Sequence, residues 1–138
     1  MARGKTTVVR RGEARLYLGK ADQFLEQARV ALDARRYDAA LLNGIHAAIS
    51  GTDAVTVALG GRRSTDPDHQ RSVDLLEESA ASDPEIRERS RQVRALLAQK
   101  NTVEYESRSA SARDARDGVE RAGRLVEWAR EMLAKARL

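Results

Sequence analysis

The sequence contains no cysteine, which excludes a disulfide framework and any thiolate metal site. Aromatic residues make up only 4% of its 138 residues, and this disfavours a β-rich fold. Alanine and leucine supply most of the hydrophobic residues, which favours helices. No apolar run is long enough for a signal peptide or a membrane span. We therefore expect an all-α, cytoplasmic protein without membrane contacts.

The charges are nearly balanced, with 25 basic and 21 acidic residues and a net charge of +4. The basic residues comprise 21 arginines and four lysines, a bias typical of GC-rich genomes. This charge is compatible with nucleic-acid binding. The first twelve residues carry Arg3, Lys5, Arg10 and Arg11 among few apolar residues. We predict a basic flexible arm over residues 1–12 and a single helical domain over residues 13–138.

Apolar residues recur at spacings of three and four in five segments, which predicts five helices. These helices span residues 13 to about 34, 39–60, a short stretch around 73–76, 84 to about 105, and 115–133. Asp38 is the expected N-cap of the second helix, and Gly60 with Gly61 is the expected stop. The short connections predict an up-down bundle of about five helices. The polar segment Arg62 to Gln70 is the expected mobile loop, and its role is open.

A polar stripe follows the second helix, at spacings of three, four and three residues. Its members are Asn43, His46, Ser50 and Asp53. A row of polar side chains on an apolar helix is costly unless each finds a partner, which favours a binding or catalytic groove. A solvated face or a satisfied buried network is the alternative interpretation.

A second polar cluster lies at the end of the fourth helix, in the segment KNTVEY. Its side chains are those of Lys100, Asn101, Glu104 and Tyr105. Lys100 and Glu104 are one helical turn apart, and a simple ion pair is the alternative explanation. Arg87, Arg91 and Arg94 share one side of this helix and are expected to be solvated. The two histidines belong to no cluster with metal-ligand spacing, so we expect neither a metal nor a cofactor.

Three segments in order resemble the HEPN family: ARVALDARRYDAA, then NGIHAAISGTDAV, then KNTVEYE ahead of a long amphipathic helix. The resemblance covers about residues 13 to 134. It implies a HEPN-like helical bundle that forms a homodimer, with the polar groove shared across a two-fold axis. The binding groove would then contain both polar sets named above.

HEPN ribonucleases carry an Arg, a polar residue, a short spacer and a His, which map onto Lys100, Asn101 and Tyr105. A phenol with a pKa near 10 is a poor substitute for an imidazole base. The segment is closer to a bacterial, actinobacterial-type HEPN branch that resembles non-nucleolytic binding proteins and lacks the catalytic Arg and His. Arg63 and His69 also have the motif's spacing, but in a loop where the family does not have it.

We therefore expect a non-catalytic module that dimerises and binds RNA, a nucleotide or a protein, as part of a toxin-antitoxin or defence system. The resemblance implies a nucleotidyltransferase or an antitoxin as the protein partner. One alternative is a metal-independent endoribonuclease with Lys100 on the phosphate, Asn101 orienting the substrate and His46 as base. Another is a structural helical adaptor. A His46 ring within hydrogen-bond reach of Lys100 favours catalysis, and a buried, satisfied ring favours the module.

Overall fold

The computed structural model describes residues 4–138, which form five helices and a small two-stranded ribbon. The helices are α1 (Ala14–Asp33), α2 (Tyr37–Gly60), α3 (Gln70–Ser79), α4 (Ile86–Tyr105) and α5 (Ala112–Lys135). The strands are β1 (Thr6–Val8) and β2 (Arg62–Ser64), and a 3-10 turn over Arg11–Glu13 precedes α1. The predicted all-α bundle of five helices is thus confirmed. None of these helices is long and apolar enough to cross a bilayer.

Helix α2 lies at the centre of the bundle and contacts all four other helices. Most of its residues from Ala47 to Ala58 are buried, as expected for a helix covered on every side. Helix α5 packs closely against α2. A Cβ added at Gly44 of α2 would lie only 3.7 Å from the Ala122 side chain of α5. On α5, a Cβ at Gly118 would overlap the side chain of Leu41. Small residues therefore set the distance between these two helices.

The N-cap prediction for Asp38 is wrong, because α2 begins at Tyr37 and its N-cap is Arg36, two residues earlier. No side chain caps this end of the helix. The Asp38 carboxylate instead accepts a hydrogen bond from the Ala110 backbone N–H at 2.7 Å, which ties α2 to the connection between α4 and α5. The predicted stop is correct, since Gly61 adopts a left-handed φ of 64° directly after α2.

Parts of the segments predicted as a flexible arm and a mobile loop form two paired strands. Residues 1–3 of the arm lie outside the described residues. Strand β1 pairs antiparallel with β2, so that Thr6 lies opposite Ser64 and Val8 opposite Arg62. The Thr65 N–H continues this pairing by donating to the Lys5 carbonyl at 2.9 Å. The β-branched residues of β1 suit an extended strand, and the turn at Gly61 directs β2 towards it.

Candidate functional site

A cavity of about 370 Å³ separates the start of α3 from the C-terminal half of α4, and we call it the α3–α4 groove. It brings the polar cluster of α4 together with the end of the loop that precedes α3. Its lining residues are Pro67, Asp68, His69, Gln70, Leu97, Lys100, Asn101 and Tyr105. His69 therefore joins Lys100 and Tyr105 in one cavity, a combination that the sequence interpretation did not contain.

The α4 side of the groove is a helical face. Glu104 follows Lys100 by four residues and Asn101 by three, so its side chain neighbours both of theirs on the helix surface. The Lys100 ammonium donates to the Glu104 carboxylate at 2.5 Å, as the ion-pair alternative anticipated. This hydrogen bond with Lys100 lowers the pKa of Glu104. The Tyr105 side chain also hydrogen-bonds to Glu104, although 74% of the residue is exposed. A cation paired with Glu104 and an exposed aromatic ring thus lie at the mouth of the groove.

Two imidazoles share the electrostatic environment of Lys100. Burial and then the Lys100 charge lower the pKa of both His46, on α2, and His69. The Glu104 charge opposes this effect at both rings, and His69 further lowers the pKa of His46. A histidine whose pKa is lowered is mostly neutral at pH 7 and can accept a proton. The site thus combines two neutral imidazoles with one ammonium group.

His46 fits neither of the two outcomes set out for it. Its ring is half-buried and packs on Phe24, with the ring centroids 5.4 Å apart and tilted by 33°. Among residues 4–138, no hydrogen bond joins it to Lys100. The interaction of His46 with Lys100 is electrostatic. His69 lines the groove, whereas His46 is not among the lining residues.

The remaining members of the α2 stripe are not among the groove-lining residues. The Asn43 amide donates to the Ala39 carbonyl of its own helix at 2.9 Å, and Ser50 is half-buried. Asp53 is only 7% exposed, and within the described chain its Oδ1 has no hydrogen-bond partner. Burial raises the pKa of Asp53 to about 7, against the opposing charge of Arg63. The stripe is therefore divided between His46 near the groove and Asp53 near β2.

Arg63 and His69, which have the spacing of a ribonuclease motif, have separate surroundings. The Arg63 guanidinium lies 5.8 Å from the centroid of the Tyr17 ring, in a cation–π contact with α1. Its charge also acts on Asp53, whereas it does not line the α3–α4 groove. Spacing in the sequence therefore does not make these two residues a common site.

Arg94 connects α4 to α3 beside the groove, although we predicted a solvated side chain from the sequence. Its guanidinium donates to the Gln70 side-chain oxygen at 3.0 Å, to Asp74 at 2.8 Å and to Glu77 at 2.5 Å. Burial lowers the pKa of Arg94, but hydrogen bonds to the Asp74 and Glu77 carboxylates raise it, and the net shift is upward. Gln70 directly follows His69, so this cluster fastens the start of α3 to α4. Pairing between helices leaves no periodic signal in one sequence, which explains the omission.

The described residues contain no group of three histidine, aspartate or glutamate side chains placed to bind a metal ion. A protein-family model described as a HEPN domain matches residues 14–132, from the first residue of α1 to the last turns of α5. The resemblance seen in three sequence segments is thereby confirmed. No curated protein matches the sequence.

Proposed function

Because the chain belongs to the HEPN domain family, we propose that its α3–α4 groove is a binding site for RNA. The observation that carries this proposal is the convergence of Lys100, Asn101, Tyr105 and His69 on one cavity of about 370 Å³. A cation, an amide and an aromatic ring are the groups with which proteins hold a phosphate, a base edge and a base face.

Three of these side chains, those of Lys100, Asn101 and Tyr105, have distinct roles in the proposed RNA binding. The Lys100 ammonium attracts a backbone phosphate, in competition with Glu104. The exposed Tyr105 ring offers a face on which an unpaired base can stack, an interaction that is tolerant of sequence. The Asn101 amide can donate to and accept from a base edge or a ribose hydroxyl. We therefore expect the ligand to be single-stranded RNA, whose bases are accessible.

A metal-independent endoribonuclease is the second candidate, and the lowered pKa of His46 and His69 favours it. A neutral imidazole would accept the proton of a 2′-hydroxyl, whose oxygen then attacks the adjacent phosphorus. The bond to the 5′-oxygen breaks and an imidazolium protonates that oxygen, which leaves a 2′,3′-cyclic phosphate and a 5′-hydroxyl. Lys100 would stabilise the charge on the phosphoryl oxygens, with Asn101 orienting the substrate.

A homodimer is the assembly we propose for this module. Two large apolar side chains on α1 support it, since Leu16 is 62% exposed and Val30 is 56% exposed. They lie fourteen residues apart, close to four helical turns, and therefore on one face. Light scattering on the purified chain measures the mass directly, and a monomer at every concentration would contradict the proposal. A nucleotidyltransferase or antitoxin partner remains a prediction from the family resemblance.

The test combines binding with cleavage in a buffer that contains EDTA. Fluorescence anisotropy with a labelled single-stranded RNA is measured for the wild type and for Lys100→Ala. The matched control is Lys20→Ala, at an exposed position of α1. We expect Lys100→Ala to weaken binding about tenfold or more and Lys20→Ala to leave it unchanged. Equal affinities for all three proteins would refute the proposal that the α3–α4 groove is the RNA-binding site.

Cleavage of the same RNA is followed on denaturing gels. Products that end in a cyclic phosphate and are lost in both His69→Ala and Lys100→Ala would establish the ribonuclease. Binding without cleavage would leave the non-catalytic module. Cleavage that persists in every variant would identify a contaminating nuclease.

A further inference from the structure

Positive charge is concentrated on residues 5–15 together with β2, a surface that we call the basic ribbon. It contains one acid, Glu13, and six basic residues: Lys5, Arg10, Arg11, Arg15, Arg62 and Arg63. The ribbon thus has an excess of five positive charges, whereas the whole chain has a net charge of +4. The rest of the chain is therefore close to neutral, and the ribbon dominates the long-range field.

Few charges of the ribbon are paired directly with a carboxylate, although Arg63 attracts Asp53 and Lys5 attracts Asp66. Arg10 alone has one within 4 Å among the described residues, Glu13 at 3.8 Å, and its own side chain is 90% exposed. The Arg11 guanidinium donates to the Ala58 carbonyl at 2.6 Å, and that of Arg62 donates to the Thr6 hydroxyl at 3.1 Å. Both acceptors are neutral, so these contacts orient the arginines and leave their charge available for an external anion.

The ribbon adjoins the α3–α4 groove along the chain. Five residues lead from Ser64, the end of β2, to His69, and they span at most about 17 Å when extended. Two hydrogen bonds fasten the ribbon to this connection: Thr65 donates to the Lys5 carbonyl, and the Lys5 N–H donates to the Asp66 carboxylate at 3.2 Å. At about 3.4 Å each, five stacked nucleotides are long enough to cover this maximum distance.

We propose that the basic ribbon binds the backbone of an RNA strand that also occupies the α3–α4 groove. This inference rests on the RNA-binding function proposed for the groove. The ribbon offers arginine and lysine side chains but no aromatic residue, and it therefore contacts phosphates without regard to sequence. We expect a 3-mer, about 10 Å long, to occupy the groove, whereas a strand of five or more nucleotides is long enough to contact both surfaces.

The experiment measures the affinities of a 3-nucleotide and a 12-nucleotide RNA between 50 and 200 mM salt. The ribbon variant is Lys5→Gln with Arg62→Gln, and the control is Arg87→Gln with Arg124→Gln, which removes two exposed charges elsewhere. A third protein, Lys5→Arg with Arg62→Lys, keeps both ribbon charges. Circular dichroism at 222 nm verifies that each variant is folded.

We expect the ribbon variant to bind the 3-mer as the wild type does but to lose part of its salt dependence with the 12-mer. Two lost phosphate contacts lower the slope of log affinity against log salt by about 1.4, so the affinity change over this salt range shrinks about sevenfold. The control and the charge-keeping variant should retain the wild-type slope.

Three results would overturn the inference. The first is an equal slope of log affinity against log salt for the ribbon variant and the control with the 12-mer. With 3-mer binding intact, this result would mean that the groove is the whole binding site. The second is a slope in the charge-keeping variant that falls below that of the wild type. The third is equally tight binding of a poly-glutamate of matched charge, which would assign the ribbon to an acidic protein. Failure of the wild type to bind either RNA would instead refute the proposed function itself.

Discussion

Replacing Asp53 by asparagine should stabilise the protein, and more so as the pH rises. Burial raises the pKa of this carboxyl from 3.8 to about 7 in the folded chain. The folded state therefore holds the proton more tightly than the unfolded state, so the free energy of unfolding falls as pH rises from about 4 to about 7. At about 1.4 kcal/mol per pH unit, the total loss is about 4 kcal/mol, and it is complete above pH 7. Asparagine cannot ionise and avoids this loss.

Urea denaturation followed by circular dichroism at pH 5, 6, 7 and 8 measures the effect. The stability gap between Asp53→Asn and the wild type should grow from about 2 kcal/mol at pH 5 to about 4 kcal/mol at pH 8. Asp33→Asn, at an exposed position near the end of α1, is the control for removing one carboxylate. A pH-independent gap for Asp53→Asn would refute the reasoning. A variant less stable than the wild type at pH 8 would mean that attraction to Arg63 outweighs burial.

Two further predictions concern residues that shape the bundle and the groove. Arg94→Met should lower the free energy of unfolding by only about 1 kcal/mol, since the side chain is partly exposed. It should nevertheless move the NMR titration of His69 towards an ordinary pKa, whereas Arg91→Met should leave that titration unchanged. Gly118→Ala should lower the free energy of unfolding by at most about 2 kcal/mol in urea denaturation, because the overlap of its Cβ with the Leu41 side chain costs about 1–3 kcal/mol and the higher helix propensity of alanine offsets about 1 kcal/mol. A variant more stable than the wild type would contradict the tight packing of α2 and α5.

The helices were predictable because their apolar spacing is a local property of the chain. The fourth helix, expected from 84 to about 105, is observed as Ile86–Tyr105. The end of α2 was equally predictable, since Gly61 adopts the left-handed conformation that glycine accepts without strain. The start of α2 was not predictable, because the Asp38 carboxylate can accept a hydrogen bond either from the first N–H groups of a helix or from a distant N–H group. The bond to the Ala110 N–H comes from a residue 72 positions away, which no local capping rule contains.

The ribbon and the groove escaped prediction for the same reason. Strand β1 has only three residues, too few for an alternating pattern, and its partner β2 begins 54 residues after β1 ends. The groove needs α3 to pack on α4, and only that packing brings His69 to Lys100. The α4 residues Lys100, Asn101 and Tyr105 were named from the sequence because they lie within six consecutive residues. His69 was considered only as a partner of Arg63, since spacing alone could not relate it to α4.

The pair of Lys100 and Glu104 connects anion binding to the protonation of the histidines. Both side chains are partly exposed, so solvent weakens their attraction and a phosphate can compete for the ammonium. In the free protein burial and then the Lys100 charge lower the pKa of His69, while the charges of Asp68 and Glu104 raise it. A bound phosphate adds negative charge beside the same imidazole, which favours its protonated form. The pKa of His69 should therefore rise when RNA binds, and NMR titration of the imidazole with and without the 3-mer would detect this change. An unchanged pKa would mean that the phosphate lies away from Lys100, outside the site proposed for it.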